Sequence, residues 1–219
     1  MYRAAVYDAL RRVIAFAAPN RCPFCTRLCG TAEIWHECCF ETLPFLDGAL
    51  QPPFGVSELY AVCRYENAAR RAVLEYKKGF FIYAAEAFAV LIIERVGEEL
   101  KSFDAIVPVP SAAEKTSLRG YSPAGLIARL VSMRSGVPFA NVLAAVRGKA
   151  EQKALGAIER TENARLSFKI KSGAVSGKRV LLIDDVCTTG STLSACAELL
   201  KKAGAAGVSA AVFAKTIKG

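Results

Sequence analysis

Val180-Leu181-Leu182-Ile183-Asp184-Asp185-Val186-Cys187-Thr188-Thr189-Gly190-Ser191-Thr192 decides how the rest of this 219-residue chain is read. Four apolar residues run into two adjacent carboxylates. A hydroxyl-rich loop with one glycine follows, and a helical pattern from Leu193 to Ala203 comes directly after. A short apolar run, a turn and an amphipathic segment predict a buried strand that ends in an anion-binding turn at the start of a helix.

Each part of the run answers a different need of one ligand, a sugar phosphate. The first turn of a helix leaves its N–H donors without intrahelical partners, so the backbone of Thr188 to Thr192 is able to face a phosphate. Gly190 lets the backbone come close or take a positive φ. The hydroxyls of Thr188, Thr189, Ser191 and Thr192 add donors with little bulk. At the carboxyl end of a central strand, Asp184 and Asp185 are suited to accept hydrogen bonds from vicinal sugar hydroxyls and to orient water on Mg²⁺, which prefers oxygen ligands. The plainer alternative is an ordinary strand-to-helix turn with an Asp or Thr cap; the complete run is more specific than that.

Hydrophobic residues make up 53% and charged residues 22% of the chain, a composition that builds a core and excludes wholesale disorder. The most apolar stretch, Phe80 to Val96, carries Glu86, Glu94 and Arg95, so no membrane span is expected. Met1 to Ala18 is broken by Asp8, Arg11 and Arg12, which reads as an amphipathic helix rather than a signal peptide and points to a cytoplasmic protein. The net charge of +9 fits a solvated basic surface or an anionic partner, whether a polyphosphate or a nucleic acid. Arg70, Arg71, Lys77 and Lys78 form the densest basic group.

Five of the eight cysteines, Cys22, Cys25, Cys29, Cys38 and Cys39, fall within 18 positions. Without an export signal, thiols stay reduced, and metal is favoured over disulfides. Cys22-Pro23-Phe24-Cys25 is half of a zinc knuckle. His36, the only histidine, with Cys39 repeats the spacing. Adjacent Cys38 and Cys39 diverge too much to share an ion. The expected closed tetrahedral Zn²⁺ set is therefore Cys22, Cys25, His36 and Cys39, with Cys38 and Cys29 as substitutes.

Pro44, Gly48, Pro52, Pro53 and Gly55 read as a linker between a metal module at 1–50 and a larger domain at 56–219. Beyond it, strands are expected at Leu59–Tyr65, Phe103–Pro110, Asn141–Arg147, Gly177–Val186 and Gly207–Lys215. Helices are expected at Ala68–Lys78, Tyr83–Leu100 and Pro123–Ser135, the last with Pro at its first turn. Strands alternating with helices predict an α/β fold, a parallel sheet wrapped by helices, with ligands at the carboxyl ends of the strands. The polar loop from Pro110 to Arg119 follows a strand and reads either as a phosphate site, with Ser111 as a donor and Arg119 as a clamp, or as a solvated loop whose arginine faces water. Gln152 to Arg165 reads either as a lid that keeps water out or as a surface helix. Tyr121 and Phe168 are able to stack on a base, although packing is the commoner role.

The run from Ile183 to Thr192 resembles the 5-phosphoribosyl-1-pyrophosphate (PRPP) signature of type I phosphoribosyltransferases. The wider pattern resembles the ComF family, in which a zinc module is fused to such a domain. The resemblance rests on Cys22, Cys25, His36 and Cys39 followed by Leu43-Pro44, and on Tyr76-Lys77-Lys78-Gly79. It continues through Val107-Pro108-Val109-Pro110, Arg119-Gly120-Tyr121, and Gln152, Leu155, Arg160, Asn163 and Phe168. Histidine stands where a cysteine is more usual, and Ser122-Pro123 stands where the family carries Asn-Gln. The resemblance implies a type I phosphoribosyltransferase-like fold in which Asp184 and Asp185 hold the ribose hydroxyls. The segment Val186, Cys187, Thr188, Thr189, Gly190, Ser191 and Thr192 would hold the 5-phosphate, and Mg²⁺ would accompany PRPP. Arg119 and Mg²⁺ would meet the charge on departing pyrophosphate. It also implies a link to DNA uptake in natural transformation, with single-stranded DNA and competence proteins as partners. An ordinary nucleotide-salvage transferase and a DNA-handling protein without turnover are the alternatives.

Overall fold

The computed structural model describes residues 21–30, 33–79, 83–111, 120–146, 168–171 and 175–217. Four parallel strands form the main sheet: β1 (Leu59–Arg64), β2 (Ala105–Pro108), β5 (Arg179–Cys187) and β6 (Gly207–Lys215), in the order β1-β6-β5-β2. β5 and β6 lie at the centre and are apolar along most of their length, as strands covered on both faces must be. A second, two-stranded antiparallel sheet pairs β3 (Leu143–Ala145) with β4 (Phe168–Ile170).

Side chains alternate across β5. Leu181 and Ile183 enter one core with Phe88, Ile92, Ile127 and Phe213; Val180 and Leu182 enter the other with Leu193, Cys196 and Leu200. The first face is covered by α2 (Asn67–Lys78), α3 (Ala84–Val96) and α4 (Pro123–Ser135), and the second by α5 (Ser191–Lys202). A short α1 (Glu37–Phe40) belongs to the cysteine-rich segment. Among the described residues, no helix is long and apolar enough to cross a membrane.

Several expected elements lie where they were anticipated. α4 and β6 span their expected residues, and α2, β1, β2, β5 and α5 differ only at their ends. Two expectations are corrected. The helix expected over Tyr83–Leu100 stops at Val96, because Gly97 takes φ +62 and ψ −140; the chain then tightens into a 3₁₀ helix, Gly97–Ser102. The strand expected over Asn141–Arg147 does not join the parallel sheet. The chain instead meets the β2 edge at Phe139, where the Ile106 N–H donates to the Pro138 carbonyl and the Ala140 N–H donates to Ile106. Only Leu143–Ala145 then pairs, in antiparallel sense, with a strand at Phe168–Ile170 that the sequence reading had not marked. The N-terminal helix, Arg119 and the Gln152–Arg165 segment lie outside the described residues.

The stretch expected as a linker is docked. Leu46 donates to the Val62 carbonyl and Arg64 donates to that of Pro44, and Leu50 bridges Leu59, so residues 44–50 follow the β1 edge in antiparallel sense. The knuckle turn is docked as well. Phe24 is 1% exposed and stacks toward Phe213, and Arg71 donates to the Phe24 carbonyl at 2.5 Å.

Candidate functional site: a cleft at the carboxyl ends of the strands

β5 carries Asp184 and Asp185 out at its carboxyl end, on opposite faces of the sheet because successive strand residues alternate. Asp185 is 4% exposed and Asp184 is half-buried. The Val109 N–H donates to the Ile183 carbonyl at 2.9 Å, which extends the β2–β5 pairing and sets Pro110 and Ser111 beside the two acids. Together these segments line a cleft of about 510 Å³ with Tyr65, Lys77, Phe168, Thr188 and Thr192.

The electrostatics of the acid pair are uneven. Burial, and then the neighbouring Asp185 charge, push Asp184 up to about 8, against the opposing pull of the Asp185 N–H and Lys77. That N–H donates to Asp184 Oδ1 at 2.9 Å. Lys77 Nζ lies 2.8 Å from Asp185 Oδ1. Buried carboxylates are expensive to hold unpaired, and the Lys77 ammonium supplies Asp185 with a partner.

Lys77 was read from the sequence as part of a basic surface group. Its place in the site comes from Tyr76. That ring is fully buried, donates to the Pro123 carbonyl at 2.8 Å, and accepts on its own carbonyl from the Tyr121 hydroxyl. The end of α2 is thereby fastened to the start of α4, and Lys77, next in sequence, overhangs the strand ends. The sequence signal for it is the Tyr76-Lys77-Lys78-Gly79 segment, which carries part of the family resemblance. The basic group itself is largely occupied: Arg71 holds Phe24, Lys77 holds Asp185, and Lys78 pairs with Glu75 at 2.8 Å.

Gly190 opens α5 with φ +82 and ψ −3, a left-handed conformation that an L side chain strains to adopt. Thr188 and Thr189 are exposed. Among the described residues, the N–H groups of Thr189 and Gly190 have no acceptor, while Thr189 Oγ1 lies 3.0 Å from Ser191 Oγ. The loop thus presents free donors and hydroxyls at a helix N-terminus, as an anion site requires. Asp184, Asp185, Val186, Thr188, Thr192 and Ser111 line the cleft; Thr189 lines the adjoining cavity with Pro53 and Lys215. Cys187 turns its thiol into the core at 2% exposure, so only its backbone is available to a ligand.

Ser122, where the family carries an amide, caps α4: its Oγ accepts from the Gly125 N–H at 3.3 Å, and Pro123 follows at the first helical position. Tyr121 is tied to Tyr76, so of the two aromatic candidates Phe168 is the one on the cleft wall.

In the cysteine-rich segment, the ligand atoms of Cys22, Cys25, His36 and Cys39 lie within 4.8 Å of one another, a group that could hold a metal ion. His36 Nε2 lies 2.9 Å from the Leu28 carbonyl, and its Nδ1 lies 3.2 Å from Cys25 Sγ. A proton on Nε2 donated to that carbonyl leaves the Nδ1 lone pair facing the sulfurs, the arrangement of a metal-ligating histidine. Burial, with added repulsion from Cys25 and Cys22, pushes Cys39 up to about 12. Burial also opposes ionisation of Cys25, but Arg27 and His36 overcome it and bring that thiol down to about 6. A set in which a second thiolate is so costly fits a bound cation. Cys38 is exposed and outside the set. Cys29 and Glu33 form a second group through the same His36.

Comparison with known proteins gives this arrangement a family. Residues 89–219 match the phosphoribosyl transferase domain. The chain is 30% identical over 174 residues to the DNA utilization protein YhgH of Salmonella typhimurium, spanning 77% of this chain and 76% of that protein. It is 28% identical over 194 residues to competence protein ComFC of Streptococcus pneumoniae, spanning 85% and 76%. It is also 35% identical over 109 residues to competence protein F of Haemophilus influenzae, spanning 48% of each chain. Among solved structures, a purine phosphoribosyltransferase from Pyrococcus horikoshii aligns with 61% of this chain and 73% of its own, at 20% identity and a TM-score of 0.40. The chain belongs to the phosphoribosyl transferase domain family and is a ComF-like member of it.

Proposed function

We propose that this protein binds PRPP with Mg²⁺ in the cleft at the carboxyl end of β5 and transfers or senses its phosphoribosyl group in a pathway of DNA uptake. The observation that carries this reading is the joining of the Asp184–Asp185 pair, Ser111, Thr188 and Thr192 around one cavity. The acids accept from the two ribose hydroxyls, and the loop amides and hydroxyls receive the 5-phosphate. Ser111 lies where pyrophosphate would sit, and Arg119, outside the described residues, is assigned to the same group. Mg²⁺ would be held with the help of Asp184 and Asp185 and would supply charge neutralisation on the pyrophosphate. In turnover, the bond from C1 to the pyrophosphate oxygen breaks with its electron pair leaving on that oxygen, and an acceptor nucleophile bonds to C1.

Residues 1–50 then form the metal module, with Zn²⁺ on Cys22, Cys25, His36 and Cys39. Four protein donors leave no open position, so the ion's part is structural. Residues 56–219 form the phosphoribosyltransferase-like domain, in a cytoplasmic protein. The names of the relatives, competence and DNA utilization proteins, support a link to DNA and competence; single-stranded DNA and competence proteins are the partners this reading assigns.

Incubation with PRPP and Mg²⁺ across a panel of nucleobases, amines and single-stranded DNA, with pyrophosphate release as the readout, tests this. Release with a subset of acceptors identifies a transferase. PRPP binding without release identifies a sensor. Absence of both refutes the reading.

A further inference from the structure

We propose that Lys77 is a ligand for the pyrophosphate end of the phosphoribosyl donor, parked on Asp185 when the cleft is empty. The inference rests on the PRPP reading above and adds to it a residue and a specificity for the diphosphate over the monophosphate.

Charge is the first argument. A donor of this class brings several negative charges to a wall that already holds two carboxylates. Lys77 is the one cation among the described residues lining that cleft. Its positive charge offsets the acids toward an anionic ligand.

Direction is the second argument. The anion-binding loop opens α5 on one face of the sheet, whereas Lys77 descends from α2 on the other. Its partner, Asp185, also points to the α2 face. An ammonium arriving from that side, beside Val109, Pro110 and Ser111, is opposite the 5-phosphate loop and next to where the leaving group is placed.

Freedom to move is the third. The Lys77 side chain is 34% exposed while Asp185 is 6% exposed, so the lysine is the mobile member of the pair. Ribose hydroxyls arriving at Asp185 would replace the ammonium's hydrogen bond. The long side chain is then free to reach a phosphate oxygen, with its root held in place by buried Tyr76.

The test compares wild type, Lys77→Met and Lys77→Arg by calorimetry with PRPP plus Mg²⁺ and, separately, with ribose 5-phosphate. Lys77→Met is expected to lose about tenfold or more in PRPP affinity, the scale of one charge-assisted hydrogen bond, and to keep ribose 5-phosphate affinity within about twofold. Lys77→Arg should retain most PRPP binding. If Lys77→Met does not fold, Lys77→Gln, which keeps a hydrogen bond to Asp185 without the charge, supplies the same comparison. Equal loss of both ligands, or loss of neither, overturns the assignment. Wild type that binds no PRPP overturns the functional reading itself, and this inference with it.

Discussion

A Cβ placed on Gly190 would lie 2.5 Å from Pro53 Cγ and 2.8 Å from Pro53 Cβ. The docked proline-rich segment therefore closes over the loop that opens α5, and the glycine is demanded twice, by its positive φ and by this contact. Gly190→Ala is expected to lower stability by about 1–3 kcal/mol, measured by chemical denaturation. Adding Pro53→Gly, which removes both Pro53 Cγ and Cβ, should recover only the steric part of that loss. An unchanged midpoint for Gly190→Ala would show that the contact and the backbone strain have been misread.

Phe24 sits between Cys22 and Cys25 and also fills the core against Phe213. Phe24→Ala is expected to cost about 3–5 kcal/mol in unfolding free energy, the usual range for emptying a buried aromatic site. A cost below about 1 kcal/mol would mean that the knuckle turn is not part of the core.

The metal cluster makes a prediction about stoichiometry. Elemental analysis should find about one zinc per chain, as a closed four-ligand site holds. His36→Ala and Cys39→Ser should lose the metal and melt at lower temperature, as should wild type after chelation. Cys38→Ser should keep both metal and melting temperature, because that thiol is exposed and outside the cluster. Metal retained in Cys39→Ser and lost in Cys38→Ser would move the ligand assignment.

The upward shift of Asp184 sets a pH dependence. Its ordinary value is 3.8 and its folded value is about 8. A raised folded value favours the fold where the group is protonated in both states, below about pH 4, and that contribution is lost as pH rises toward 8. Asp184→Asn removes the cost of the ionised form. It should therefore be more stable than wild type at pH 8, by at least about 1 kcal/mol, with the advantage vanishing near pH 4. An advantage independent of pH would assign the effect to packing instead.

Much of this molecule was readable because its local signals agree. The apolar run before Asp184, the glycine at 190 and the proline opening α4 each specify one structure, and each formed it. The cluster of Cys22, Cys25, His36 and Cys39 followed from spacing and from the divergence of neighbouring side chains. What stayed hidden depends on distant contacts. Lys77 looked like surface charge because nothing in its own segment shows that Tyr76 anchors to Pro123 and turns the lysine over Asp185. The segment from Pro44 to Gly55 looked like a tether because docking onto β1 uses backbone groups, which every residue carries. β4 is three residues long, too short for a periodicity to register.

The most direct trial of the central claim is a calorimetric titration of PRPP in the presence of Mg²⁺ into wild type and into the Asp184→Asn, Asp185→Asn double variant. Saturable binding to wild type, weakened about tenfold or more in a double variant that still folds, is the expected result. Equal affinity in the two proteins, or no binding to either, would contradict the account.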